Sequence, residues 1–265
     1  MAQKETNCCC GTDTPQGHGA AVNGYASGCL LCGKNLVYHE TGEMRTCAVC
    51  GKKSLSHATC EDGHFVCDSC HSFGAVAPVA AMLRESTQTD AIQLFEAAAK
   101  VPSVHLHGPE HHVITPLVLL TAYRNCGGRL NYTAAMSEVC RRALQVPGGT
   151  CGFWGVCGAA AGAGIYASVL LGSGPLNGKV WSEPQHLTAA ILENLAGLGG
   201  PRCCKRTVRR SIEVAADYTE KWTGVKIPTG RVICRYFHQN KECIGNKCPY
   251  YPKKFVLKGA DKNGV

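Results

Sequence analysis

The stretch CEDGHFVCDSCH, residues 60–71, decides how the first part of this chain can fold. It places three thiols and two imidazoles within twelve residues, and Phe65 and Val66 are its only large apolar side chains. So few apolar groups cannot form a hydrophobic core, and metal ligation has to hold such a segment together. The sequence therefore predicts a metal-bound module, and the same density of Cys and His extends back to residue 29.

Two matching turns precede this stretch, CLLCGK at 29–34 and CAVCGK at 47–52. In a Cys-x-x-Cys-Gly turn the glycine permits a tight backbone, and both sulfurs can then face one tetrahedral ion. A mixture of thiolate and imidazole ligands in closed sites favours structural Zn²⁺ over a single iron ion. The spacing leaves open whether consecutive or alternating pairs of ligands share each zinc ion.

Three histidines, His57, His64 and His71, compete to complete the eight ligands that two zinc ions need. We favour His64, because Gly63 forms a turn before it and because it lies three residues before Cys67. The predicted zinc ligands are Cys29, Cys32, Cys47, Cys50, Cys60, His64, Cys67 and Cys70.

The composition of the whole chain supports metal and thiol chemistry, since it contains 19 cysteines and 11 histidines. The first residues, MAQKETNCCC, contain no apolar run, which predicts a cytoplasmic protein without a secretory leader. In a reducing cytosol, paired cysteines indicate ligation rather than disulfides. From Arg202 onward, 15 Lys and Arg residues face 5 Asp and Glu residues, so this basic end could bind RNA or offset the charge of metal-bound thiolates.

Beyond about residue 75 the pattern becomes helical, with Ala, Leu and Glu at helical spacing. A buried helix is predicted to begin at Pro116, and the other predicted helices cover 76–86, 90–100, 131–146, 183–198 and 204–224. Outside the metal module, strand-like alternation is clearest in KIPTGRVICRYF at 226–237. The uncharged run at 156–177 is rich in Gly and Ala, which favours a buried soluble helix over a membrane span.

These patterns predict a mostly α protein. A helical Cys-rich domain is preceded by a small zinc-binding module and followed by a short Cys-rich metal-binding tail. The predicted units are a flexible tail at 1–28, a double zinc-binding module at 29–74, a helical domain at 75–225 and a basic Cys-rich segment at 226–265.

Two motifs of the helical domain are candidates for catalysis. The stretch HLHGPEHH, residues 105–112, can aim several imidazoles at one point because Gly108-Pro109 turns the chain. In GGTCGFWGVCGAAAGAG, residues 148–164, one cysteine directly precedes the Gly/Ala helix, where exposed N–H groups stabilise a thiolate. The predicted catalytic residues are Cys151, Cys157, His107, His111 and His112.

The last cysteines form a further candidate site. Three spaced thiols, the last followed by Pro249, favour a [4Fe–4S] cluster over a zinc ion or no metal. Cys203 and Cys204 are both candidates for the fourth ligand, and their place at the start of the last long helix predicts low thiol pKa values. The predicted cluster-binding residues are Cys203, Cys204, Cys234, Cys243 and Cys248.

Several of these motifs occur together in a known family. GHFVCDSCH, HGPEHH, GGTCGFWGVCGAAAGAG, GPRCC and CRYFHQNKECIGNKCPYY resemble an uncharacterised Cys-rich family of anaerobic bacteria and archaea, sometimes joined to S-adenosylmethionine-dependent methyltransferases. The resemblance spans nearly all of 29–252 and implies anaerobic metabolism. More weakly, VCGAAAG at 156–162 is similar to a helical redox family named for its C–GCAxxG–C–C pattern.

The separate thiol sets and the histidine loop predict a metal-thiolate protein that transfers electrons or sulfur through thiolates, and the resemblance implies that it acts in anaerobic redox or sulfur metabolism. Two alternatives stay open. One is a non-enzymatic accessory or adaptor protein that docks a protein partner through its zinc module. The other is an RNA-binding zinc protein that uses its basic end. The sequence does not decide whether the chain is an enzyme.

Overall fold

The computed structural model describes residues 28–253, so the predicted tail lies outside the described residues except for Gly28. The described part is mostly helical, as the sequence predicts, with eight α-helices and one β-hairpin. The strands are β1 (Leu36–Thr46) and β2 (Lys53–Cys60). The helices are α1 (Asp68–Glu85), α2 (Ala91–Ala98), α3 (Glu110–Asn125), α4 (Tyr132–Ala143), α5 (Thr150–Phe153), α6 (Gly158–Leu170), α7 (Ser182–Leu198) and α8 (Cys204–Thr223), followed by a 3₁₀ turn at Gly245–Lys247.

The hairpin organises the Cys-rich module. β1 and β2 pair antiparallel with Leu36 opposite Cys60 and Thr46 opposite Lys53. β1 follows the first Cys-x-x-Cys turn, and β2 follows the second and ends at Cys60. The pairing therefore brings the first turn beside the end of β2, although 26 residues or more separate them along the chain.

Helix α1 connects the module to the helical domain. It begins at Asp68, with Cys67 as its N-cap, and continues without a break to Glu85. Its first turn belongs to the Cys-rich module, whereas Val79, Ala80 and Leu83 are fully buried in the main core. The orientation of the module is thus fixed by a helix that both parts share.

The central helix α3 starts earlier than predicted. It begins at Glu110 rather than at Pro116, so His111 and His112 lie in its first turn. A proline inside a helix removes the hydrogen bond to the carbonyl four residues earlier, here that of His112. That carbonyl faces Gly162 of α6, where a side chain would overlap it. The absence of a side chain at Gly162 therefore leaves room for the His112 carbonyl, which has lost its helical hydrogen bond to Pro116.

Helix α6 is the predicted Gly/Ala helix. It packs against α3, α4, α7 and α8, and Ala160, Ala163 and Ala167 are fully buried. Gly158 lies directly against the ring of His112, and Gly164 lies against Thr188 of α7. No described helix is long and apolar enough to cross a membrane. The Gly/Ala face of α6 therefore allows the neighbouring helices to pack closely against it.

The segment KIPTGRVICRYF does not form a strand, contrary to the sequence pattern. Its backbone instead forms hydrogen bonds with Asp90, Ala91 and Tyr250, none of which belongs to a strand. The carbonyl of Pro228 accepts from Ala91 N at 2.9 Å, and Gly230 N donates to Asp90 Oδ2 at 2.7 Å. Cys234 N donates to Tyr250 O at 2.7 Å, which folds the tail back on itself.

We predict that Gly162→Ala lowers the free energy of unfolding by about 1–3 kcal/mol, because the new methyl group would overlap the His112 carbonyl and meet Pro116 Cδ at 3.0 Å. Gly197→Ala in α7 is the matched control, since nothing lies within 4 Å of its added carbon. Alanine there should leave stability unchanged or raise it by up to about 1 kcal/mol. Equal effects in urea unfolding of the two variants would contradict the packing account.

Candidate metal centres

The first ligand group joins the first Cys-x-x-Cys turn to the end of β2. Its members are Cys29, Cys32, Cys60 and His64, whose donor atoms all lie within 4.8 Å of one another. Cys32 Sγ lies 3.8 Å from Cys60 Sγ, and His64 Nδ1 lies 3.4 Å from Cys60 Sγ. The structure thus groups His64 with the thiols, as the sequence predicts.

The second group joins the second Cys-x-x-Cys turn to the start of α1. Its members are Cys47, Cys50, Cys67 and Cys70, again with all donor atoms within 4.8 Å. Cys50 Sγ lies 3.8 Å from Cys67 Sγ, and Cys67 N donates to Cys47 Sγ at 3.3 Å. Bonds of about 2.3 Å to a tetrahedral zinc ion place adjacent sulfurs about 3.8 Å apart, so the thiols fit such an ion.

The two groups therefore use alternating pairs of ligands. The first and third pairs along the chain form one group, and the second and fourth pairs form the other. This cross-braced arrangement answers the question that the spacing left open. Its physical basis is the hairpin, which carries the chain from one group to the other and back.

Local backbone geometry explains how each turn presents its sulfurs. Gly33 and Gly51 follow the two Cys-x-x-Cys pairs with φ of 74° and 72°, values that glycine adopts without strain. In each turn the glycine N–H donates to the carbonyl of the first cysteine, at 2.8 and 2.9 Å. Gly63 has φ of 78° and turns the chain so that His64 faces Cys60.

The predicted catalytic residues come together on the wall of one large cavity of ≈1420 Å³. The wall residues from the prediction are His107, His111, His112, Cys151 and Cys157. The hairpin and the Cys-rich module line one side, including Tyr38 and His57, and the starts of α3, α6 and α8 line the other. The cavity therefore lies between the module and the helical domain.

Each histidine of the loop has a different environment. His107 Nε2 lies 3.2 Å from Asn240 Oδ1 and 3.4 Å from Glu242 Oε2, which ties the loop to the C-terminal segment. His112 Nδ1 lies 3.1 Å from the Val146 carbonyl. Burial lowers the pKa of both imidazoles, and it lowers the pKa of His111 to about 4. Neutral imidazoles thus face the cavity near pH 7.

Glu110 forms a third potential ligand group with two histidines. His71, His105 and Glu110 each offer a donor atom, and these atoms lie within 4.8 Å of one another. Burial of Glu110 raises its pKa, but His111 and His71 beside it lower it more, so the net pKa lies well below the usual range. Sequence reasoning missed this group. His105 and Glu110 both belong to the predicted histidine loop at 105–112, but His71 lies much earlier in the sequence, and only the fold brings it close to them.

Cys157, Cys203 and Cys204 lie at helix starts, as the sequence predicts, but the predicted low pKa values are wrong for Cys203 and Cys204. Cys157 is the N-cap of α6 and Cys203 that of α8. Burial raises the pKa of Cys203, and it raises the pKa of Cys204 to about 12. Partial loss of hydration on the cavity wall also raises the pKa of Cys151, although its side chain is exposed. Loss of hydration outweighs the helix N–H groups.

The C-terminal cysteines surround a second, smaller cavity. Cys203, Cys234, Cys243 and Cys248 line it together with Arg206. Cys204 points elsewhere and lines the large cavity. Within residues 28–253, these cysteines belong to no group of three or more donors that all lie within 4.8 Å. The prediction of a metal-binding tail is therefore not confirmed by a compact ligand set.

One family model matches the chain, that of a family of unknown function, DUF5714, over residues 79–251. The chain belongs to this family. The DUF5714 match begins at residue 79, so the double Cys/His module lies outside it, whereas the predicted resemblance extended back to residue 29. No curated protein and no solved structure matches the chain.

The cross-braced pairing can be tested by ¹¹³Cd NMR of the cadmium-substituted protein, in which each site gives its own resonance. Cys32→Ser should remove the resonance of the three-sulfur, one-nitrogen site and keep that of the four-sulfur site, because Cys32 shares its group with His64. Cys50→Ser is the matched control and should do the opposite. With consecutive pairing, Cys32 and Cys50 would belong to the same four-sulfur site, so both variants would lose the four-sulfur resonance and keep the other one.

A second prediction for this region concerns thiol reactivity. At pH 8 a thiol with a pKa of about 12 is a thiolate in only about one molecule in ten thousand, so buried Cys204 should resist iodoacetamide. Cys151 is exposed on the cavity wall and should react at least about tenfold faster. Peptide mass spectrometry measures both rates, and the unfolded chain serves as the control. Similar rates in the folded protein would contradict the burial of Cys204.

Proposed function

We propose that the protein is a metal-thiolate redox protein of anaerobic metabolism. In this proposal two zinc ions hold the cross-braced module, and the smaller cavity holds a [4Fe–4S] cluster that carries single electrons. The observation that supports the cluster is the convergence of Cys203, Cys234, Cys243 and Cys248 on one cavity from two separate parts of the chain.

The spacing of these thiols favours a cluster over a single ion. A mononuclear zinc site requires sulfurs about 3.8 Å apart, as the two module sites have. A [4Fe–4S] cluster attaches each cysteine to a different iron, so its four sulfurs stand farther apart. The four thiols line one cavity without forming a compact group, which is the observation that favours the larger cofactor in this proposal.

The other residues of the small cavity suit an anionic redox centre. Tyr236, Phe237 and Tyr251 line it and would limit access of water. Arg206 and Arg209 also line it, and their positive charges would offset the negative charge of a thiolate-bound cluster. Cys203 is the candidate for the fourth ligand, because Cys204 does not line this cavity.

The position of the proposed cluster connects it to the large cavity. Cys203 and Arg206 line both cavities, so the two cavities adjoin at the start of α8. A one-electron carrier at this place would lie next to any compound bound in the large cavity. We therefore propose that the large cavity is where a substrate or a redox partner meets the protein.

Anaerobic reconstitution with iron and sulfide tests this function. The full-length protein should bind about four iron and four sulfide ions and show broad absorption near 400 nm that dithionite bleaches. Cys234→Ser and Cys248→Ser should each reduce this absorption by at least about fivefold. Cys126→Ser is the matched control, since Cys126 lines neither cavity, and it should retain the cluster.

Two outcomes would contradict the proposal. One is a wild-type protein that takes up no sulfide. The other is a cluster whose absorption and dithionite response are the same in Cys234→Ser and Cys248→Ser as in the wild type. Binding of zinc alone at these four thiols would replace the redox function with a structural one.

A further inference from the structure

His71, His105 and Glu110 come from three separate places and meet at one buried point. His71 lies in the first turn of α1, His105 lies in the loop before α3, and Glu110 is the first residue of α3. His71 Nδ1 lies 3.1 Å from Glu110 Oε2, and His105 Nδ1 lies 3.9 Å from Glu110 Oε1. The two imidazole rings stand edge to face, with centroids 5.0 Å apart.

The polar atoms of this cluster lack ordinary partners. The Glu110 side chain is 0% exposed, and neither of its carboxylate oxygens accepts a hydrogen bond in the described structure. The Nδ1 atoms of His71 and His105 are likewise buried without a hydrogen-bond partner. His71 and His111 lie 3.1 and 3.3 Å from these oxygens without forming aligned hydrogen bonds, and a buried carboxylate so weakly satisfied is costly, so the arrangement favours a further positive group between these atoms.

Lys205 and His111 lie nearby but do not provide this further positive group. Lys205 is 1% exposed, and its ammonium group lies 5.0 Å from the centre of the Tyr236 ring, but it is not among the ion-pair partners of Glu110 in the described chain. His111 Nδ1 lies 3.3 Å from Glu110 Oε1, yet it is also 3.1 Å from the Gly108 carbonyl, to which it can donate. An ion pair with His71 alone would still leave His105 unpartnered.

We propose that His71, His105 and Glu110 bind a divalent first-row transition-metal ion, a third type of metal site in this protein. Two imidazoles and one carboxylate are a common ligand set for catalytic Zn²⁺ and for non-haem Fe²⁺. Metal–ligand bonds of about 2.1 Å place neighbouring ligand atoms about 3.0–3.4 Å apart. The 3.1 Å separation falls in this range, and a small closing movement of His105 would complete the site.

The site differs in kind from the two thiol-rich groups of the module. Three protein ligands leave coordination positions for water or for a bound compound, as in catalytic rather than structural sites. His71 lines the large cavity, and so do Gly108 and Pro109, which stand between His105 and Glu110 in the chain. Of the three ligands only His71 lines the cavity, so an oxygen or nitrogen ligand bound there would approach the ion from the His71 side.

The site is independent of the iron–sulfur cluster and can be probed without it. Mn²⁺ prefers oxygen and nitrogen ligands and avoids thiolates, so it reports on this site in full-length, iron-free protein that carries only the two zinc equivalents taken up by the thiol-rich groups. Electron paramagnetic resonance of free Mn²⁺ should show saturable binding of about one ion per chain. Electron spin-echo measurements on the bound ion should show coupling to imidazole ¹⁴N.

Variants from different segments test the assignment. His105→Ala and Glu110→Gln should each raise the apparent Kd for Mn²⁺ at least about tenfold while the zinc content stays unchanged. His57→Ala is the matched control, because His57 lines the same cavity but contacts Phe153 with ring centroids 4.6 Å apart, away from the cluster. It should bind Mn²⁺ like the wild type.

The Mn²⁺ binding and ¹⁴N coupling of the wild type test the proposal even if a variant folds poorly. Absence of saturable Mn²⁺ binding, or bound Mn²⁺ without ¹⁴N coupling, would overturn the proposal. Equal Kd values in the wild type, His105→Ala and Glu110→Gln would assign the binding to surface carboxylates instead. Either result would leave the cluster as a buried imidazolium–carboxylate pair.

Discussion

The ligand group at the start of α1 is the constraint on which the rest of the structure depends. Cys67 caps α1 and Cys70 lies in its first turn, so this group fixes where the helix begins and how it is oriented. The same turn carries Asp68, whose Oδ2 accepts from Gly148 N at 2.8 Å, just before α5. It also carries His71 to Glu110. One turn of helix therefore positions the module, one wall of the large cavity and a potential third metal site.

The two parts of the protein contribute differently to that cavity. The module has few apolar residues and exposes Met44 and Leu55 on its hairpin, so its side of the cavity depends on two ligand groups that are compatible with metal rather than on a core. The other side rests on the apolar core around α3, where Ile114, Leu117 and Val118 are fully buried. Loss of metal should therefore disturb one wall while the other keeps its shape. The DUF5714 match covers the helical side only.

Sequence reasoning succeeded where short spacing determines the structure. The two Cys-x-x-Cys-Gly turns, the choice of His64, and the helices that begin after Cys157 and Cys203 all depend on neighbouring residues. It failed where contacts between residues far apart in the sequence determine the local structure. Gly162 accommodates the His112 carbonyl within α3, and the non-strand path of 226–237 is held by hydrogen bonds to Asp90 and Ala91.

The errors at the candidate sites have the same origin. A helix N-terminus lowers a thiol pKa only while water still reaches the sulfur, and the burial of Cys204 is a property of the whole fold. The meeting of His71 with Glu110 needs the path of α1, which follows from cross-braced ligation that spacing alone does not reveal. Local chemistry could name the ligands, but only the fold could assign them to sites.

The central claim is that this chain is organised around bound metals of different kinds. Native mass spectrometry of the full-length protein, purified and sprayed without oxygen, measures this most directly. The account predicts a folded charge-state distribution whose mass exceeds that of the polypeptide by two zinc ions, one [4Fe–4S] cluster and one further divalent ion. A compact, fully folded chain at the mass of the bare polypeptide would contradict it.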